Sequence, residues 1–192
     1  MTEEFEMKIQ LSKEEYSFLI ELFRKHISSA SVQTNYYYDT PAREFRQQNT
    51  TVRIRHKGHN FKGTVKKHLA EKHCSTERSF SVKNLPHSFE TDGKRVYMQG
   101  QLKTYRVEVP ITDFAVMMID KNEYLDQIDY EMELEYSEDT CREANGMMQL
   151  VEKLLGRREK SIEPVSKSER FFRRLEVIEH EDLSSEGRGW SL

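Results

Sequence analysis

The chain opens on Glu4-Phe5-Glu6-Met7-Lys8, with charged and apolar residues in strict alternation. In a β-strand successive side chains point to opposite faces. Glu4, Glu6 and Lys8 therefore form one charged row, and Phe5, Met7 and Ile9 an apolar one. The alternation returns in Thr51-Val52-Arg53-Ile54-Arg55, in Thr64-Val65-Lys66 and in Thr104 to Val109, around Arg106. It returns again from Tyr124 to Tyr136, where Asp129, Glu131, Glu133 and Glu135 oppose Tyr130, Met132, Leu134 and Tyr136. Lys57-Gly58-His59-Asn60 reads as a hairpin turn between two such rows. So many half-apolar strands constrain the chain to an antiparallel sheet with two unlike faces.

Three stretches carry the helical period instead. Ser12-Lys13-Glu14-Glu15, Thr140-Cys141-Arg142-Glu143 and Ser166-Lys167-Ser168-Glu169 are capping-box patterns, each followed by apolar residues at helical spacing. The order strand, helix, many strands, helix, helix gives an α+β protein dominated by an antiparallel β-sheet closed, or nearly closed, into a barrel. The three helices are expected to cover its apolar outer face. Pro86 to Gly100 reads as a loop or short helix, and Gly63 as the place of a β-bulge. Residues 1–180 read as a single domain and residues 181–192 as a flexible tail.

With 30 basic and 33 acidic residues the net charge is -3, which gives no reason to expect nucleic acid as a partner. The acidic N-terminus lacks an apolar signal core, and no apolar run is long enough for a bilayer. Cys74 and Cys141 follow no metal-ligand spacing and read as reduced thiols. These features predict a cytoplasmic protein without membrane contact; a homodimer is compatible with them.

A sheet with one solvated face would alternate in the same way, and cross-strand Glu–Arg pairs would stabilise it by roughly 0.2–1 kcal/mol each. Three features oppose that reading. The charged rows contain almost no Ser, Thr or Gln. Acids lie on the first and the long late strand, bases on the strands of Arg53, Arg55, Lys66 and Arg106. The helices are available to cover the apolar face, which leaves the charged face inside. An uncompensated buried ion costs several kcal/mol, so inward charges imply a bound counter-charge. Carboxylates clustered without Cys or His suit Mg²⁺ or Mn²⁺, while Arg and Lys suit phosphate oxygens. A tunnel with both walls fits a linear polyphosphate.

These residues resemble the CYTH superfamily, the triphosphate tunnel metalloenzymes that include thiamine triphosphatases and class IV adenylate cyclases. Glu4-Phe5-Glu6-Met7-Lys8 is similar to the family's ExExK strand, and Tyr38-Asp39-Thr40-Pro41 to its aromatic-Asp-Thr-Pro strand end. Arg53-Ile54-Arg55 resembles the RxR strand, Thr64-Val65-Lys66 the TxK strand, and Asp129 to Glu135 the late acidic strand. The pattern is most similar to short bacterial, Bacillus-type single-domain members. The resemblance implies an eight-stranded antiparallel tunnel holding a small-molecule triphosphate end to end. It implies metal ligation by Glu4, Glu6, Glu133 and Glu135, with Glu131 on the same face at the tunnel edge. Lys8, Arg53, Arg55, Lys66, Arg106 and Lys167 would bind phosphate, with Glu4, Glu6 and Lys8 central to catalysis. The implied activity is metal-dependent triphosphate hydrolysis, preferably of inorganic triphosphate or else of an organic one such as thiamine triphosphate. The alternatives are a class IV-type adenylate cyclase and a non-catalytic triphosphate binder. Arg78 is expected to be a solvated basic residue.

Overall fold

The computed structural model describes residues 2–69, 74–112, 115–157 and 164–186, with residues 2–4, 185 and 186 described for their backbone only. Nine strands are present among them: β1 (Thr2–Leu11), β2 (Ser29–Asp39), β3 (Thr50–Lys57), β4 (Asn60–His68), β5 (Cys74–Val82), β6 (Ser88–Thr91), β7 (Lys94–Thr112), β8 (Ala115–Tyr124) and β9 (Gln127–Tyr136). Eight close into an antiparallel barrel, in the order β1-β9-β8-β7-β2-β3-β4-β5 and back to β1. The ninth, β6, forms a hairpin on the first residues of β7. Pro86 to Gly100 is therefore neither loop nor helix. Asp92 and Gly93, both at positive φ, make the Asp-Gly turn that such a hairpin favours.

The helices are α1 (Lys13–Phe23), the single turn α2 (Glu44–Gln47), α3 (Cys141–Leu154) and α4 (Lys167–Glu186). The Ser12 hydroxyl accepts from Glu15 N at 3.1 Å, and the Glu15 carboxylate accepts from Ser12 N at 2.8 Å. This reciprocal cap fixes where α1 begins. Helices α1 and α3 cover one outer face. Leu19, Met148 and Val151 pack there with Met7, Ile9, Met117, Ile119, Met132 and Leu134 from the strands. Each such fully buried side chain contributes about 1.5–3 kcal/mol. A second outer cluster joins Tyr38, Phe45, Val52, Ile54, Val65 and Val96 under β6 and α2.

Helix α4 departs from the expected arrangement. Its Phe171 and Phe172 pack on Tyr37, Leu102 and Tyr124, side chains that point into the barrel, so α4 plugs one end of the tunnel rather than covering its outside. Gly100 makes room for it: a Cβ there would lie 2.7 Å from the Phe171 ring. The bulge falls at this point too, where the β2–β7 register shifts between Tyr37 and Tyr38. At Gly63 the pairing with both neighbours is regular. That glycine instead accommodates the Phe80 ring, which would stand 2.1 Å from a Cβ. α4 also runs six residues past the expected domain end at 180, to Glu186; residues 187–192 lie outside the described ones.

Candidate functional site

The barrel interior is charged as the alternation requires, because β1, β3, β4, β7, β8 and β9 turn their polar rows inward. Register sets the neighbours: Lys8 lies across from Glu133, Glu6 from Glu135, and Asp120 from both Arg106 and Glu131.

One wall is acidic. Asp120 and Glu131 are fully buried at 0% exposure, and Glu133 joins them. Each of the three offers an oxygen, and these atoms lie within 4.8 Å of one another. Arg106 spans the cluster, its Nε 2.9 Å and its terminal nitrogen 2.6 Å from the two Asp120 oxygens, with a further bond to Glu133. Lys167, from the first turn of α4, reaches all three: Asp120 at 2.9 Å, Glu133 at 2.8 Å, and Glu131. Arg170, one turn further on, donates to Asp129 at 2.8 Å and to Glu131 at 2.5 Å. Asp129 in turn accepts from Asn122 and Tyr124.

Burial would raise the Asp120 carboxyl, but Lys167 and Arg106 hold it below its ordinary range. Glu133 goes the other way. Burial and the neighbouring Asp120 and Glu6 raise it, with Arg106 opposing. Burial also pushes the Lys167 ammonium down to about 7, against the pull of Asp120.

The facing wall is basic. The Glu6 carboxylate lies 2.9 Å from Lys8 and 3.4 Å from Lys66. Burial would raise its pKa, yet these two lysines hold it well below the usual carboxylate range. Arg53 approaches Glu77 at 3.5 Å, and its buried Nε makes no hydrogen bond. Arg55 donates its Nε to Asn35 at 3.0 Å and has no carboxylate partner among the described residues. The Arg53 charge beside it, with burial and Arg106, pushes the Arg55 guanidinium down to about 9 against Glu133 and Glu77. Two adjacent guanidinium groups with little carboxylate neutralisation present forked donors of the kind that suits anionic oxygens.

The expected residues therefore divide. Glu6, Lys8, Arg53, Arg55, Lys66, Arg106, Glu131, Glu133 and Lys167 converge on the tunnel. Glu131 lies deep among cations rather than at the edge, and Glu135 is exposed. Arg106 and Lys167, expected on phosphate, contact carboxylates. The Glu4 side chain lies outside the described residues; its backbone, in β1, pairs with Ser75 of β5. Arg78 points outward to Asp92 at 2.8 Å. Asp120, Arg170 and Glu77 were missed from sequence. Asp120 ends the apolar run Ala115-Val116-Met117-Met118-Ile119, which lacks the alternation that exposes the other strands.

The Asp39-Thr40-Pro41 turn supports the mouth. The Asp39 carboxylate accepts from the backbone N–H groups of Thr40, Phe45 and Arg46 at 2.7–3.0 Å, folding the chain back as α2. From that turn Arg43 reaches Glu179, and Arg46 reaches Glu169 and Glu176, all on α4. A cavity of about 870 Å³ opens beside this latch, lined by Glu6, Lys8, Arg46, His68, Ser168 and Phe172 among others.

A closed antiparallel barrel with opposed acidic and basic inner walls defines a charged tunnel for a cation and a polyanion. The chain belongs to the CYTH domain family, whose model matches residues 2–172. A Bacillus subtilis relative named "Putative triphosphatase YjbK" is 29% identical over 146 residues, covering 69% of this chain and 76% of that one. Among solved structures, a Bacillus halodurans protein described as a "putative adenylate cyclase" superposes with a TM-score of 0.72 at 24% identity, over 90% of this chain and 100% of that one. "Putative adenylyl cyclase HpAC1" from Hippeastrum, described as having a dominant triphosphatase activity, gives 0.71 at 16% identity, over 88% and 95%. The Mimivirus capping enzyme triphosphatase gives 0.55 at 8% identity, over 78% and 88%. At these identities the structures share the fold. Family membership implies a divalent metal, and the buried carboxylates, without Cys or His, are a donor set that fits one.

Proposed function

We propose that the protein hydrolyses the phosphoanhydride bond of a triphosphate threaded through the tunnel, with inorganic triphosphate as the preferred substrate and Mg²⁺ or Mn²⁺ as the metal. The observation that carries this reading is the Arg53–Arg55 pair, which lacks adequate carboxylate neutralisation and faces a buried acidic cluster. A site for cation alone would not need the first, and a site for anion alone would not need the second.

Arg53, Arg55, Lys8 and Lys66 bind the non-bridging oxygens and neutralise the charge along the chain. Phosphoryl transfer depends on such positioning and neutralisation rather than on covalent help from the protein. Asp120, Glu131, Glu133 and Glu6 would hold the cation, with Glu4 and Glu135 as further candidates from the sequence pattern. A divalent cation there would polarise a phosphoryl oxygen and lower the pKa of a bound water. Glu6 stays ionised between Lys8 and Lys66, and so contributes a fixed negative charge on β1, between the acidic and basic walls. Attack by water forms one P–O bond as the terminal anhydride P–O bond breaks, releasing orthophosphate and leaving a diphosphate held by the basic wall.

The mouth cavity favours a second reading, in which the substrate is an organic triphosphate. A space of about 870 Å³ reaching Glu6 and Lys8 exceeds what a bare triphosphate needs and falls in the range of small-molecule pockets. A cyclase would further need a group that activates a 3′-hydroxyl, and the tunnel carboxylates engage in ion pairs instead.

The test offers purified protein inorganic triphosphate, thiamine triphosphate and ATP with Mg²⁺ or Mn²⁺, following phosphate and cyclic nucleotide. We expect metal-dependent orthophosphate release, fastest with inorganic triphosphate. No turnover of any of them, with triphosphate bound regardless of metal, would leave a non-catalytic binder.

A further inference from the structure

Lys167 enters the acidic wall from a different element than the carboxylates it touches. Asp120, Glu131 and Glu133 belong to the barrel strands β8 and β9, whereas Lys167 opens α4. Its ammonium lies 2.9 Å from Asp120 and 2.8 Å from Glu133, and also contacts Glu131. These are the same three carboxylates whose oxygens come within 4.8 Å of one another. An ammonium satisfies three acceptors at hydrogen-bond distance, about 2.8 Å. A small divalent cation needs the same oxygens at about 2.0–2.1 Å. Both cannot hold them together, since an ammonium and a dication converging on the same three oxygens at such spacing repel each other.

The rest of α4 is attached independently of this contact. Phe171 and Phe172 seat on Tyr37, Leu102 and Tyr124. Arg43 and Arg46 tie Glu179, Glu169 and Glu176 to the Asp39 turn. The Ser168 hydroxyl lies 2.8 Å from that of Thr51. Only the leading edge of the helix carries cations into the acids: Lys167, then Arg170 on Asp129 and Glu131. Lys167 can therefore leave the cluster while the aromatic seat and the latch hold the helix in place.

We propose that Lys167 is a tethered counter-ion occupying the cation position of the acidic wall, and that a divalent cation loads by displacing it, so that metal binding and docking of the first turn of α4 compete. This deepens the proposed function and rests on its metal assignment. Lys167 thereby holds the acids together before loading and becomes a mobile cation near the tunnel after it.

The test measures Mn²⁺ binding to the full chain without substrate, by electron paramagnetic resonance titration. Lys167→Met removes the competing charge while keeping length, and should bind Mn²⁺ at least tenfold more tightly than wild type. Lys167→Arg keeps the charge and should remain as weak as wild type. If Lys167→Met does not fold, hydrogen exchange on the wild-type protein decides. The first-turn amides of Glu169 and Arg170, which donate to Ser166, should exchange faster on Mn²⁺ loading while those of Phe171 and Phe172 keep their rate; unchanged or slower exchange at Glu169 and Arg170 overturns the proposal. Equal or weaker Mn²⁺ binding by Lys167→Met overturns the competition and leaves hydrolysis standing. No Mn²⁺ binding by either protein would remove the metal assignment and the competition with it.

Discussion

At the scale of single residues, the tunnel holds charges in places that serve a ligand better than they serve the fold. Arg55 is the clearest case: its guanidinium stands beside Arg53 with no carboxylate partner among the described residues, and that neighbour, with burial, lowers its pKa to about 9. Removing one of two repelling cations relieves the folded state, so Arg55→Gln should raise stability by about 0.5–2 kcal/mol in urea unfolding. The same change removes a charged donor to phosphate, worth about 1.5–3 kcal/mol, so KM for triphosphate should rise by about ten- to a hundredfold. A less stable variant with an unchanged KM would mean that Arg55 is structural. His68, at the rim near Lys66 and Lys8, makes a pH prediction. Burial, then the charges of Lys66 and Lys8, lower its pKa from 6.5 to about 4. Between those values the unfolded chain binds more protons, so this residue's contribution is complete above pH 6.5 and lost as pH falls towards 4. Allowing for its partial exposure, the contribution is about 1 kcal/mol. His68→Gln should flatten the stability profile between pH 6.5 and 4; a slope equal to that of wild type would contradict the assignment.

At the scale of elements, packing decides what local pattern leaves open. Gly63 lies opposite Phe80 in a regular β4–β5 pairing, and any Cβ would meet the ring at 2.1 Å. Gly63→Val should destabilise the protein by about 1–3 kcal/mol through overpacking. Phe80→Leu should recover part of that loss in the double variant, and additivity of the two in a double-mutant cycle would argue against their contact. The glycine was legible in the sequence but its reason was not, because a missing side chain does not say whether a bulge or a neighbour required it. Strands β1, β3 and β9 were legible because pure alternation admits only one side inward. Strand β8 was not: Val116, Met117, Met118 and Ile119 are apolar on both faces, which hid Asp120 among them. Helix α4 shows the same limit. Its spacing of Phe171, Phe172 and Leu175 announces an apolar face, but only the bulge at Gly100 and the seat on Tyr37 show that the face enters the barrel.

At the scale of the whole molecule, the barrel keeps most of its acids and its bases on different strands and closes them against each other. Strands β3 and β4 bring Arg53, Arg55 and Lys66, β8 and β9 bring Asp120, Glu131 and Glu133, and β1 contributes Glu6 and Lys8 between them. The segregation was readable as a row of signs along the chain, whereas the partners across the tunnel required the register. It has a thermodynamic consequence. The acidic wall already carries Arg106, Lys167 and Arg170, while among the described residues Arg53 has only Glu77 at 3.5 Å and Arg55 no carboxylate partner. The larger unmet demand is therefore for anion, and triphosphate should bind the folded protein without metal. A ligand at a hundred times its Kd stabilises the native state by about 2.7 kcal/mol. For a chain of this length that corresponds to about 5–10 °C in melting temperature. Inorganic triphosphate in excess EDTA should produce such a rise, and the rise should shrink as salt screens the basic wall. A shift seen only when Mg²⁺ or Mn²⁺ is present would show instead that the cation organises the anion site, and that the two walls do not act separately.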